Sequence, residues 1–161
     1  MWLSIAPRAK PICGIIGATI NINDFTGHRA YVLAEGETLV TGRNRFRFLE
    51  TPQVPHGWDA CLLFEETDNT LFCSDLFLQN GNLEPTTEND ILGRAKKALI
   101  GFEAGPLANS TQYTEKTERT LYRLADLNPK RLAAMHGSTF VGNGGKAMRD
   151  LAVMMREVLA S

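Results

Sequence analysis

The sequence predicts one α/β domain with a layered α+β arrangement, and two observations carry this prediction. Apolar runs of strand length, separated by turn residues, fill the segment from Arg29 to Asp75. After Asp75 the apolar residues mostly follow helical periodicity, with a short strand between helices. A β-rich first half followed by alternating helix and strand is typical of a layered fold. The 161 residues fit a single domain, 1–161, that can bury its own core.

The first forty residues give the weakest signals. Residues 2–6 are apolar and predict the end of a helix, although no N-cap residue precedes them. Residues 11–13 predict a short buried strand, whereas residues 15–25 fit neither the helical nor the strand pattern clearly. Residues 30–33 and 38–40, with turn residues between them, predict a hairpin.

The clearest strand signals follow. Residues 45–49 alternate charged and apolar side chains, which predicts a strand with one buried face. Residues 60–64 form a continuous apolar run, as in a central strand. Asp68-Asn69 supplies a turn, so residues 70–73 are predicted to return as the neighbouring strand.

The second half predicts three helices and one strand. Residues 87–90 resemble a capping box, and they precede residues 91–102, whose apolar side chains share one helical face. A more polar helix is predicted for residues 111–127, and an amphipathic one for residues 148–159. Residues 132–135 predict a short apolar strand between these two helices.

Composition and charge narrow the classes of partner and location. A formal charge of -1 provides no basic surface for nucleic acid. No apolar run approaches roughly 20 residues, the length of a membrane-spanning helix, and the first ten residues lack the regions of a signal peptide. The three cysteines share no C-x-x-C spacing, which favours a reducing compartment, so we expect the cytoplasm.

Two of the three histidines and one aspartate stand at predicted strand ends, where layered folds carry functional loops. His56 follows Pro55, Asp75 ends the strand at residues 70–73, and His136 closes the strand at residues 132–135. Two imidazoles and one carboxylate suit Zn, Fe or Mn. The structural alternative is that the histidines bond to loop backbone and that Asp75 caps a turn. The third histidine, His28, is expected in a solvated loop.

The glycine-rich residues 142–146 do not match a phosphate-binding loop. Phe140 stands where that loop needs its first glycine, and Ala147 replaces the Ser or Thr that would hold Mg²⁺. This segment is therefore predicted to be a flexible start to the last helix.

Three segments of the chain carry a resemblance when they are taken together. Residues 51–59 (TPQVPHGWD), 71–77 (LFCSDLF) and 132–138 (LAAMHGS) resemble three metal-ligand motifs of the metallo-β-lactamase-fold proteins. The first resembles the strand-end segment with the third ligand group, the second the segment with the bridging aspartate, and the third the closing histidine motif. Their order and separations are similar to those of the oxygen-binding diiron, or flavodiiron, branch.

The resemblance implies an αββα sandwich of which this chain holds the C-terminal part, as a single truncated domain. It implies that His56 serves one metal ion, that His136 serves the other, and that Asp75 bridges them. Asp59 is expected near the site as the candidate catalytic residue. The expected cofactor is Fe or Zn, or no metal in this chain alone, because the family's first ligand motif is absent before His28.

The resemblance implies two enzyme classes and leaves a non-catalytic alternative open. In a hydrolase the metal would activate water, whereas in a diiron protein two irons would bind or reduce oxygen. Either activity is expected to be impaired, because half of the ligands are missing. The alternatives are a scaffold that associates with itself, and a fragment of a longer active enzyme. An exposed sheet edge and apolar surface predict a homodimer, and the small-molecule substrate stays unknown.

Overall fold

The computed structural model describes residues 2–160, except for the side chains of Trp2 and Leu3. The strands in this range are β1 Ile12–Cys13, β2 Tyr31–Val32, β3 Thr38–Thr41, β4 Asn44–Glu50, β5 Cys61–Glu65, β6 Thr70–Phe72, β7 Thr86–Thr87, β8 Arg131–Ala133 and β9 Thr139–Val141. The α-helices are α1 Trp2–Ile5, α2 Ile15–Gly17, α3 Asp24–Thr26, α4 Ile91–Glu103, α5 Glu115–Asp126 and α6 Gly144–Leu159. A π-helical stretch, Ala18–Asn23, joins α2 to α3. Within residues 2–160, no helix combines the length and the apolar character needed to cross a membrane.

One mixed sheet of seven strands organises the chain, in the order β3-β4-β5-β6-β8-β9-β7. The strands from β3 to β6 are antiparallel neighbours, whereas β6 and β8 are parallel. The connection from β6 to β8 runs through β7, α4 and α5. A separate parallel pair, β1 and β2, precedes this sheet in the chain. The predicted layered α/β class is confirmed.

The main core lies between one face of the seven-stranded sheet and the three long helices. Residues opposite one another in neighbouring strands share a face, and Phe64, Leu71 and Leu132 are aligned in this way. All three are at most 5% exposed, and they join Leu121 and Leu124 of α5 in one cluster. Burial of each such side chain stabilises the fold by about 1.5–3 kcal/mol.

The opposite face of the sheet carries a second apolar row. Phe48, Leu63, Phe72 and Ala133 are aligned there by the strand register. Phe48 is 2% exposed and lies close to Gly14, where an added Cβ would approach its ring to 3.2 Å. Phe72, by contrast, is 45% exposed. The N-terminal segment therefore covers only part of this face.

Two predictions for the N-terminal third were wrong. Residues 30–33 and 38–40 do not form a hairpin, because β2 pairs with β1 and β3 pairs with β4. The strand at residues 11–13 is not buried, since Ile12 is 39% exposed and β1 has only β2 beside it. The ambiguous residues 15–25 are helical.

The helix starts also differ from the predicted ones. The N-cap of α4 is Asp90, whose carboxylate accepts a hydrogen bond from the Gly93 amide at 2.7 Å. Thr87 belongs to β7 instead of a capping box. Helix α5 begins after Thr114, which forms a reciprocal capping box with Thr117.

The glycine-rich start of α6 is a close-packed junction, so the prediction of a flexible segment was wrong. Gly144 and Gly145 are buried, and Asn143 caps the helix by accepting from the Lys146 amide at 2.8 Å. A Cβ at Gly144 would lie 2.5 Å from the Pro129 carbonyl oxygen. These glycines therefore permit the helix to approach the α5–β8 loop.

Candidate metal centre

The sheet topology explains why three distant residues meet. Strand β4 is antiparallel to β5, β5 is antiparallel to β6, and β6 is parallel to β8. Strands β4, β6 and β8 therefore run in one direction, and their C-terminal ends lie at the same sheet edge. The loops after these ends carry His56, Asp75 and His136, respectively.

The His56 loop is held by short-range hydrogen bonds around a buried anchor. Thr51 is fully buried, and its hydroxyl donates to the Val54 carbonyl at 2.8 Å. The Gln53 amide donates to the Gly57 carbonyl at 2.7 Å, which closes the loop around His56. Gly57 has φ +83°, a value that favours glycine.

The Asp75 and His136 loops continue the parallel pairing beyond the strand ends. The Cys73 amide donates to the Ala133 carbonyl at 3.0 Å, and the Met135 amide donates to the Ser74 carbonyl at 2.8 Å. These bonds bring the next residue of each loop, Asp75 and His136, side by side.

The Asp75 carboxylate lies between the two imidazoles. Its Oδ2 atom is 2.9 Å from His56 Nε2, and its Oδ1 atom is 3.6 Å from His136 Nε2. Oδ1 is buried and has no hydrogen-bond partner among the described residues. Each oxygen thus faces a different histidine. A buried carboxylate oxygen without a partner is costly, so this atom has the character of a ligand position.

The chemistry of this trio fits part of a metal site. Imidazole nitrogens and carboxylate oxygens are ligands that iron and zinc accept, although the 2.9 Å between Oδ2 and His56 Nε2 is the length of an ordinary hydrogen bond. In the described part of the chain, however, no three His, Cys, Asp or Glu side chains are gathered closely enough to hold an ion by themselves. The three residues therefore suit a shared ligand set that needs further donors.

Cys73 lies just before Asp75 but has the wrong properties for a ligand. Its side chain is 0% exposed, and burial raises the pKa of the thiol to about 12. Since a metal binds the thiolate form, Cys73 serves as a packed apolar residue, as its sequence context predicts. Cys13 and Cys61 are only half-buried, and burial is the main cause that raises the pKa of each.

In the described part of the chain, the other predicted site residues form no hydrogen bond or ion pair with the trio. The Asp59 carboxylate accepts a hydrogen bond from the Asn21 side chain at 2.6 Å, which ties its loop to the N-terminal helices. Asp59 does not line the cavity that adjoins the trio, which is described next, and its catalytic role stays a prediction. Trp58 is 65% exposed. His28 is exposed in a bend, as expected.

A cavity of about 470 Å³ adjoins the trio. Helices α4 and α6 contribute apolar walls, and the loops after β4, β6 and β8 contribute His56, Asp75 and His136. The candidate metal centre therefore opens into an apolar space instead of a flat surface.

Sequence patterns did not reveal the residues that join the ligand loops. Gln79 is 4% exposed; its amide group donates to the Phe77 and Ser138 carbonyls at 3.2 Å, and its backbone amide donates to the His136 carbonyl at 2.9 Å. Gly137 has φ +121°, and a Cβ there would lie 2.7 Å from Gln79 Cβ. The glycine after His136 was a visible signal, whereas the role of Gln79 depends on contacts remote in sequence.

The sequence alone finds no match among protein-family models, and no curated protein is similar enough to match it. Solved structures do match. A mutant flavo di-iron protein from Thermotoga maritima superposes with a TM-score of 0.68 at 18% identity, covering 88% of this chain and 35% of that chain. Rubredoxin oxygen:oxidoreductase from Desulfovibrio gigas gives 0.68 at 18% identity, covering 92% and 37%.

The chain has part of the metallo-β-lactamase fold. The apo state of the chemotaxis sensor ODP from T. denticola supports the same conclusion, with a TM-score of 0.72 at 14% identity over 90% of this chain and 59% of that one. At these identities the similarity establishes the fold, which confirms the resemblance seen in the sequence. The chain spans little more than a third of the flavodiiron chains that it matches.

Proposed function

We propose that this chain is an iron-binding domain of the diiron, oxygen-binding type, and that it supplies one side of the metal site. The observation that carries the proposal is the Asp75 carboxylate, whose two oxygens face His56 and His136 separately. His56, Asp75 and His136 would hold iron through imidazole nitrogen and carboxylate oxygen, which are ligands that iron accepts. The matched structures named as di-iron proteins favour iron over zinc.

The chain's own residues hold and orient the site. Asp75 and His136 are fixed by the backbone bonds between their loops, and His56 by its closed loop. Two irons, when bound, would supply the binding and reduction of oxygen. Because the trio leaves coordination positions open, we propose that further ligands come from a partner or another segment and that the chain alone has impaired activity.

The first test is metal content after iron loading under anaerobic conditions. We expect bound iron by plasma emission, and its loss in His136→Ala and His56→Ala. His28→Ala is the matched control, because it removes an exposed histidine far from the trio in sequence. Iron binding that survives both site variants would overturn the ligand assignment. Preferential retention of zinc with hydrolytic activity would favour the metallo-hydrolase alternative.

Self-association is a second candidate function, and the exposed apolar face of the sheet favours it. Phe72 is 45% exposed, and its ring centroid lies 6.2 Å from that of Phe46 on the same face. Covering this face with a second copy would remove apolar surface from water. Sedimentation should show a homodimer that Phe72→Lys dissociates, whereas Lys97→Ala, on the exposed side of α4, leaves it intact. A wild-type monomer at micromolar concentration would exclude this function.

A further inference from the structure

The cavity beside the candidate metal centre is larger than the small gas molecule of the proposed function needs. Its volume is about 470 Å³, whereas one water molecule occupies about 30 Å³ in the liquid. Pockets for organic ligands span roughly 300–1,000 Å³. The space therefore has the size of an organic ligand with many heavy atoms.

The walls of the cavity specify the body of that ligand. Helix α4 contributes Ala98 and Phe102, and helix α6 contributes Leu151, Met154 and Met155. Among the described residues that line it, Asp75 is the one Asp, Glu, Lys or Arg. Ser110 and Thr111 add two hydroxyl groups to the wall, but most of its other side chains are apolar, which favours an apolar ligand body. The two methionines are adaptable and suit a flexible chain.

The polar part of the wall specifies the head group. Asp75 alone would repel an anion, but a divalent ion on its carboxylate would reverse the local charge. We infer that this cavity binds an unbranched acyl chain, with a carboxylate head at the His56–Asp75–His136 trio and the hydrocarbon between α4 and α6. The prediction of hydrocarbon binding rests on the cavity alone, whereas the preference for a carboxylate head group rests on the proposed function.

A homologous series of n-alkanols, from hexanol to dodecanol, tests the hydrocarbon part in metal-free protein. Titration calorimetry should show affinity that rises about fourfold per methylene and then levels off once the cavity is filled. Absence of saturable binding, or affinity independent of chain length, would overturn the inference.

Two variants with opposite expected effects separate pocket filling from damage to the fold. Ala98→Met adds volume to the wall and should shorten the chain length at which affinity levels off, whereas Met154→Ala removes volume and should lengthen it. Val153→Ala is the matched control, because Val153 lies beside Met154 but is 46% exposed and outside the cavity wall. Circular dichroism and thermal melting verify that each variant is folded. If folded variants leave the levelling-off point unchanged, the alkanols bind elsewhere and the inference fails.

The n-alkanoate series then separates this inference from the proposed function. In iron-loaded protein, alkanoates should bind at least tenfold more tightly than alkanols of equal length, and His136→Ala should remove that advantage. If affinity depends on ligand chain length but iron has no effect, the hydrocarbon pocket is supported and the metal site is contradicted. If iron binds but affinity does not depend on ligand chain length, the proposed function is supported and the hydrocarbon pocket is overturned.

Discussion

The two faces of the seven-stranded sheet differ in how completely they are covered. On one face, Leu71 and Leu132 lie at 0% exposure beneath α5 and α6. On the other, Phe48 is covered by the N-terminal segment, while Phe72 is 45% exposed. The helical layer therefore covers its face of the sheet more completely than the N-terminal segment covers the opposite face.

Adjacent residues of β6 give the largest expected contrast between the faces. Leu71→Ala should lower the free energy of unfolding by about 2–5 kcal/mol, because it leaves a cavity in the helical core. Phe72→Ala, one residue further, should cost less than about 1 kcal/mol in the monomer, because its ring is already half exposed. Urea unfolding of both variants measures the difference. Equal losses would break the comparison and indicate that the second face is covered in solution.

Gly137 extends the comparison to the sheet edge, where the ligand loops lie. Gly137→Ala places a side chain at φ +121° and against Gln79, so it should cost about 1–3 kcal/mol. The free energy of iron binding should fall by more than the free energy of unfolding. The shift of Gln79 displaces the backbone of His136, whose carbonyl accepts from the Gln79 amide. The control is Gly81→Ala. Gly81 also has a positive φ, +101°, but an added Cβ there would meet nothing within 4 Å. Equal effects of the two alanines on iron affinity would contradict the proposed contact.

The helical layer also depends on how its first long helix begins. Asp90→Ala removes the cap on the Gly93 amide and should cost about 1 kcal/mol. Asp90→Asn keeps a side-chain acceptor and should restore most of the loss. Thermal unfolding of the three proteins measures this effect. If Asn and Ala behave alike, the capping hydrogen bond contributes nothing measurable.

The smallest effect concerns acid stability at the rim of the helical face. The pKa of Glu84 is lowered from 4.5 to about 2, mainly by the hydrogen bond from Arg94. A lowered pKa in the folded state means that the stabilisation is present above pH 4.5 and is lost as the pH falls towards about 2. Glu84→Gln should flatten the pH dependence of the urea midpoint in that window. Because the pair is exposed, the change should be small, and an unaltered acid profile would contradict it.

Sequence patterns predicted correctly the elements that depend on residues near one another in the chain. Residues 45–49, 60–64 and 70–73 were placed correctly as strands, because local alternation and apolar runs determine them. The loops of His56, Asp75 and His136 could be located for the same reason, since each follows such a strand. Whether these residues are ligands still rests on the metal experiment.

Features determined by distant contacts could not be read from local patterns. Strand β7 has two residues and owes its existence to pairing with β9. Strand β3 pairs with β4 over four residue pairs, and not with β2, which local patterns did not indicate. Asp59 is held by a hydrogen bond from Asn21. Asn21 lies in residues 15–25, whose helical conformation the sequence did not predict.

The parallel pairing of β6 with β8 has a consequence for the order in which the molecule assembles. Asp75 and His136 become neighbours after the chain has passed through β7, α4 and α5 and returned to the sheet. Such a non-local contact forms slowly compared with a hairpin. Iron binding that depends on both residues should therefore appear only after the β6–β8 crossover has closed, so it would report on this late step of refolding.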